Sequence, residues 1–134
     1  KQLSFWRSNL RNAPAILELP SDRARPAVQS YRGKVANRSL PQELLSKLHQ
    51  LGNEQGATLF TTMLAAFNVM LSRYSGQNDV VVGTPVAGRQ HSDLEGLIGF
   101  FLNTLPIRSK LDHNSDFRQL LQEYSLKTEL YLQV

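Results

Sequence analysis

The chain shows two hydrophobic periods, one helical and one extended, separated by segments with neither. Leu3, Trp6 and Leu10 recur at helical spacing and Pro14 closes the pattern, which predicts a helix within the first ten residues. Residues 13–26 (APAILELPSDRARP) hold three prolines and no period, so an extended loop ordered by contact is expected there. Residues 31–40 are predicted as a strand with Val35 its main inward residue. Pro41 suits the first turn of a helix, where its missing N–H costs nothing. Leu44, Leu45, Leu48 and Leu51 then mark one apolar stripe, ended by Gly52 or Gly56. Thr58 is a favourable N-cap for the next helix and Gly76 its left-handed stop. That helix is apolar nearly all round, which predicts burial on more than one face.

The run Asp79–Gly83 (DVVVG) is β-branched and bounded by turn residues, the pattern of a strand covered on both faces. After the loop GTPVAGRQHSDLEG, residues 98–111 read as strand-forming. Ser115 and Asp116 are expected to cap a final helix with Phe117, Leu120, Leu121, Tyr124 and Tyr131 on or near one face. The order helix, loop, strand, two helices, strand, loop, strand, helix predicts an α/β fold with helices over a small mixed sheet.

Composition narrows the chemistry. There is no cysteine, so disulfides, thiolate metal sites and cysteine nucleophiles are excluded together, in keeping with a cytoplasmic setting. At 134 residues the chain fits one domain or one lobe of a larger one. Neither end carries a helix terminator or signal-like run, and both look cut. The longest apolar stretch, Leu59–Tyr74, is interrupted by Thr61, Thr62, Asn68, Ser72 and Arg73. It falls short of the about 20 mostly apolar residues of a membrane span. Charge is uneven: residues 1–38 hold eight Lys or Arg against Glu18 and Asp22, whereas residues 39–134 hold seven against nine acids. The early cations are dispersed among few aromatics, so solvated surface or interdomain pairing is expected rather than nucleic-acid binding.

Candidate catalytic motifs fail one by one. Gly83-Thr84-Pro85-Val86-Ala87-Gly88-Arg89 follows a strand as a phosphate loop would, but Arg89 and Gln90 stand where lysine and serine or threonine are needed. Pro85 also removes an N–H from that loop. His49, His91 and His113 are scattered, with no spaced carboxylate or thiol partners, so no metal site is expected. No Gly-x-Ser-x-Gly elbow is present. Asp112 and Asp116 suit a loop and a helix cap better than an acid/base pair.

Several segments in order resemble the condensation domains of nonribosomal peptide synthetases. They are FWRSNL near the start, LELPSDRARP, SYRG at 30–33, residues 56–89 (GATLFTTMLAAFNVMLSRYSGQNDVVVGTPVAGR) and residues 94–108 (LEGLIGFFLNTLPIR). The resemblance implies part of a chloramphenicol-acetyltransferase-like lobe, with residues 1–134 forming a single partial domain from the C-terminal portion. It implies peptide-bond formation between acyl and aminoacyl thioesters held on phosphopantetheine arms of peptidyl carrier domains, in a tunnel between two lobes. No cofactor would be bound directly.

The family's His-His-x-x-x-Asp-Gly motif is absent from this sequence, so no catalytic residue is assigned and the chain alone is expected to be inactive. Around residues 14–26, within segment 1–30, the resemblance implies a tunnel-floor loop, and at 83–104 a crossover or latch between lobes. Its tunnel-lining candidates are Gly83, Thr84, Pro85, Gly88, Arg89, Gly99, Asn103, Thr104 and Arg108, with Arg89 and Arg108 pairing acids across the lobes or meeting a carrier phosphate. Phe100, Phe101 and Leu102 read more simply as sheet packing. Expected partners are carrier domains, the N-terminal lobe of the domain, and further copies of this chain through uncovered apolar surface. The competing function is a non-catalytic module that binds carriers or subunits.

Overall fold

The computed structural model describes residues 2–87, 93, 96–112 and 114–133. Its elements are α1 (Gln2–Asn9), α2 (Gln42–Glu54), α3 (Leu59–Ser75), β1 (Asp79–Val86), β2 (Asn103–Lys110) and α4 (Phe117–Gln133). The caps read from the sequence form. The Thr58 hydroxyl accepts from Thr61 N at 3.1 Å, and Gly76 ends α3 at φ 70°. At α4, Asp116 Oδ1 accepts from Gln119 N at 2.8 Å while Gln119 Oε1 accepts from Asp116 N at 3.2 Å, a reciprocal capping box.

The two glycines offered as ends of α2 divide the work. Gly56 takes the left-handed turn at φ 65°. Gly52 stays inside the helix, where a Cβ would stand 2.8 Å from the Ala57 carbonyl oxygen and 2.9 Å from Thr62 Oγ1. Its missing side chain lets α2 cross closely over the start of α3.

β1 and β2 form an antiparallel pair in the register Val80↔Ser109 and Val82↔Ile107. Alternation therefore puts Val80, Val82, Ile107 and Ser109 on one face, and Asp79, Val81, Arg108 and Lys110 on the other. The first face meets α3 and α4. Val80, Ala65 and Leu121 are wholly buried there beside Leu64, Leu71, Leu120 and Tyr124. The second face is covered by the end of α1 and the following loop. α1 is itself held by an aromatic cluster, with Trp6 stacked on Tyr131 of α4 at 5.6 Å and Phe5 edge-on to both.

Three expectations are corrected. Residues 31–40 form no strand: Tyr31 sits at φ 55°, Val35 is 85% exposed, and the whole segment is exposed. Val35 and Ala36 among Arg32, Lys34 and Arg38 offer too little burial to offset ordering the segment. Residues 98–102 are not strand either, since pairing begins at Asn103. Finally, α3 is buried on one face only. Phe60, Met63, Phe67, Met70 and Tyr74 remain 43–66% exposed as a continuous stripe, while the inward face carries Thr61, Thr62, Asn68 and Ser72 among its apolar residues.

Candidate functional site

The most organised polar feature is Arg108 on β2. Its side chain is 7% exposed and all five of its N–H donors have acceptors. Nε donates to Asp79 Oδ1 at 2.8 Å and Nη2 to Asp79 Oδ2, a two-pronged pairing with the residue diagonally opposite on β1. Nη1 donates to the carbonyls of Asn9 at 2.7 Å and Arg11 at 2.8 Å, and Nη2 also reaches the Asn12 carbonyl at 3.4 Å. These carbonyls lie where α1 ends without intrahelical donors for them. Asn12, at φ 56°, turns the chain so that its carbonyls converge on the one guanidinium. Hydrogen bonding from Arg108 holds the Asp79 carboxyl below its usual range. The Tyr131 hydroxyl lies 3.2 Å from the Arg108 carbonyl oxygen and 3.1 Å from Asn9 Oδ1, joining α4 to the same knot.

Arg108 is thus committed within the chain, with no donor left for an acid of another lobe or for a phosphate. The sequence offered no sign of this, because Asp79 becomes its partner only once the strand register is fixed.

The other candidates divide along the hairpin. Gly83, Pro85 and Thr104 share the face of Arg108, and a Cβ on Gly83 would meet Thr104 Cγ2 at 2.9 Å. Thr84 and Asn103 belong to the opposite face, where Asn103 Oδ1 accepts from Thr104 N at 2.9 Å. Gly99 stands in the exposed connection, closest to the Phe101 ring. Gly88 and Arg89 lie outside the described residues, as do His91 and His113.

The hairpin tip draws attention for its hydrophobicity. Ile98 is fully exposed, Phe100 is 87% exposed, and Leu97 and Leu102 are more than half exposed. Phe100 and Leu102 therefore do no sheet packing within this chain. The proline-rich loop is held by Leu17, which packs against the core, and by Gln77, whose Oε1 accepts from Glu18 N at 2.8 Å and whose Nε2 donates to the Ile16 carbonyl at 3.2 Å.

Inside the helix layer, Tyr124 is 2% exposed, and burial pushes its phenol up to about 12, with neighbouring Ser109 and Asn68 pulling the other way. Among the described residues no group of three or more His, Cys, Asp or Glu could hold a metal ion. Within the same residues no helix is long and apolar enough to cross a membrane.

Comparison with known proteins adds to this geometry. A family model described as "Condensation domain" matches residues 1–129. Gramicidin S synthase 2 of Brevibacillus brevis is 45% identical over 121 residues, which covers 90% of this chain and 3% of that protein. Tyrocidine synthase 3 of Brevibacillus parabrevis is 45% identical over 123 residues, 92% of this chain and 2% of its own length. The chain thus spans only a few per cent of these relatives. A four-domain nonribosomal peptide synthetase, crystallised in its holo form with AMP and glycine, superposes with a TM-score of 0.95. It is 33% identical, and the match covers 99% of this chain and 10% of that one. The X-domain from teicoplanin biosynthesis matches with a TM-score of 0.90 and 32% identity, covering 98% of this chain and 29% of that one.

Proposed function

Because the chain belongs to the condensation-domain family of nonribosomal peptide synthetases, we propose that it supplies the C-terminal part of such a domain. In that setting residues 83–104 are the crossover onto the other lobe and residues 14–26 the tunnel floor. The parent domain joins carrier-borne acyl and aminoacyl thioesters, and the partners of this part are peptidyl carrier domains, with their phosphopantetheine arms, and the N-terminal lobe. This chain by itself forms no peptide bond, since it lacks the His-His-x-x-x-Asp-Gly motif.

The observation that carries the reading is the hairpin tip. A connection that holds Ile98, Phe100 and Leu102 in solvent, on a hairpin whose base is fixed by Arg108, is built to meet another apolar surface. The test is a double substitution, Ile98→Ser with Phe100→Ser, in a synthetase that contains this segment. Peptide formation from carrier-loaded donor and acceptor should fall at least about tenfold, since lost interlobe positioning displaces the reacting groups. Unchanged condensation overturns the crossover reading.

A second reading is a non-catalytic docking module. It is favoured by one relative of this fold, the teicoplanin X-domain, which was solved in complex with OxyB; it is 33% identical with a TM-score of 0.85. Carrier binding seen by calorimetry with no turnover from the intact domain would select it. In either setting the isolated chain self-associates through its uncovered apolar surface. A strictly monomeric species in light scattering over a wide concentration range counts against that.

A further inference from the structure

We propose that the open stripe of α3 is a pairing surface for a second copy of this chain, with the two α3 helices antiparallel about a two-fold axis near Phe67. The pairing gives the self-association proposed above a surface and a symmetry, and it rests on that reading.

The stripe faces away from the core, yet it is the more apolar side of the helix. Thr61, Thr62, Asn68 and Ser72 are buried, whereas Phe60, Met63, Phe67, Met70 and Tyr74 are 43–66% exposed. A helix face that stays in water is ordinarily polar. The five residues follow one another in alternating steps of three and four, the spacing of a seam that packs along a second helix at a shallow angle. They run over roughly 21 Å of helix.

Several features point to α3 itself as the second helix. The order along the seam is aromatic, Met, Phe, Met, aromatic, which reads the same from either end. An antiparallel copy therefore meets the same series of side chains and sets Phe67 among methionines, whose thioether sulfur packs well on aromatic rings. The patch is its own complement, as a closed two-fold pair requires. Ala66 is exposed beside Phe67, and its small side chain allows close approach at the centre. Arg73 is the one charged residue of α3, and an antiparallel pair keeps its two copies at opposite ends. The area is also sufficient. About half of each of the five side chains is open, on the order of 100 Å² apiece. Two copies can bring about 1,000 Å² under cover, the size at which a specific interface becomes stable.

The test measures the mass of the whole chain by light scattering over a range of concentration. A dimer is expected, with a thermal midpoint that rises with concentration. Phe67→Ser/Met70→Ser should raise the dimer dissociation constant at least about tenfold. It should keep the helical circular dichroism of the parent, because both side chains are 45% exposed. Ala66→Cys gives an independent reading should that variant unfold. The sequence has no cysteine, so mild oxidation joins copies only through the introduced thiol. Disulfide formation at position 66 should be at least about tenfold faster than in Ser46→Cys, an exposed control on α2. Ile98→Ser should leave the pair in place and reduce only association beyond it. A chain that stays monomeric to millimolar concentration overturns the pairing together with the self-association behind it, and leaves the stripe to a partner of another kind. A dimer unchanged in folded Phe67→Ser/Met70→Ser, or equal cross-linking at positions 66 and 46, overturns the pairing alone. So does a dimer lost in Ile98→Ser and retained in the α3 variant, which moves the contact to the hairpin tip.

Discussion

Ile107 and Ile98 are the same residue nine positions apart in one hairpin, yet the first is 4% exposed and the second fully exposed. The base of the hairpin is settled inside the chain: Val80, Ile107 and Ser109 face α3 and α4, and Arg108 fastens the opposite face to the end of α1. Near the tip, by contrast, Ile98 and Phe100 face solvent. In one element, then, the base is packed within this chain while Ile98 and Phe100 near the tip are not. α3 repeats the division across its width, with its inward face packed and its stripe from Phe60 to Tyr74 open.

The base should break first. Ile107→Ala removes buried carbon between the sheet and the helices, and a loss of about 2–5 kcal/mol is expected from chemical denaturation. Arg108→Met comes next. It leaves Asp79 and three backbone carbonyls without these donors, and a carboxylate deprived of its paired cation in a half-buried site is costly. The thermal midpoint should fall by roughly 10 °C. Asp79→Asn should cost less, with a distinct pH signature. Because the Asp79 carboxyl is held below its usual value in the fold, its contribution is fully present above the unfolded value of about 3.9 and is lost as pH falls through the folded value. The variant should lack that part of the acid limb, and an acid limb identical to that of the parent chain would show that the pair does not support the fold.

Legibility from sequence follows the same division. Helix ends were readable because their signals are local: Thr58, Gly76 and Asp116 act on backbone within four residues. The inward residues of α4 were readable because periodicity needs no partner. The strand expected over 31–40 failed because a strand depends on a neighbouring edge, which the sequence does not reveal, and Tyr31 in the left-handed region turns the chain away. The stripe of α3 misled for a related reason. Apolar residues all round a helix state that both faces want cover, not that this chain supplies it. At the candidate site, the residues of the hairpin could be named from resemblance, but not the role of Arg108. That role depends on a register that brings Asp79 diagonal to it and on Asn12 turning three carbonyls toward it.

A smaller effect sharpens the interior half of the comparison. Tyr124 titrates near 12 in the fold against an ordinary value of 10.0, chiefly because burial penalises the phenolate. A folded value above the unfolded one means that its stabilising contribution is intact below pH 10 and declines as pH rises from there through about 12. Tyr124→Phe should flatten that alkaline loss, measured as denaturant midpoints between pH 9 and pH 11. If the slope is unchanged, the alkaline limb belongs to other groups.

The smallest expected change in stability is the most informative about function. Ile98→Ser alters a side chain that touches almost nothing, so the isolated chain should keep its stability within about 0.5 kcal/mol. Its tendency to self-associate should drop, because one of the largest uncovered apolar side chains is gone. A loss of stability comparable to that of Ile107→Ala would mean that the tip folds back onto the body, and the contrast between the two isoleucines would disappear. Preserved stability with weakened self-association, set beside impaired condensation in the full domain, would assign Ile98 to a contact that this chain makes only with another surface.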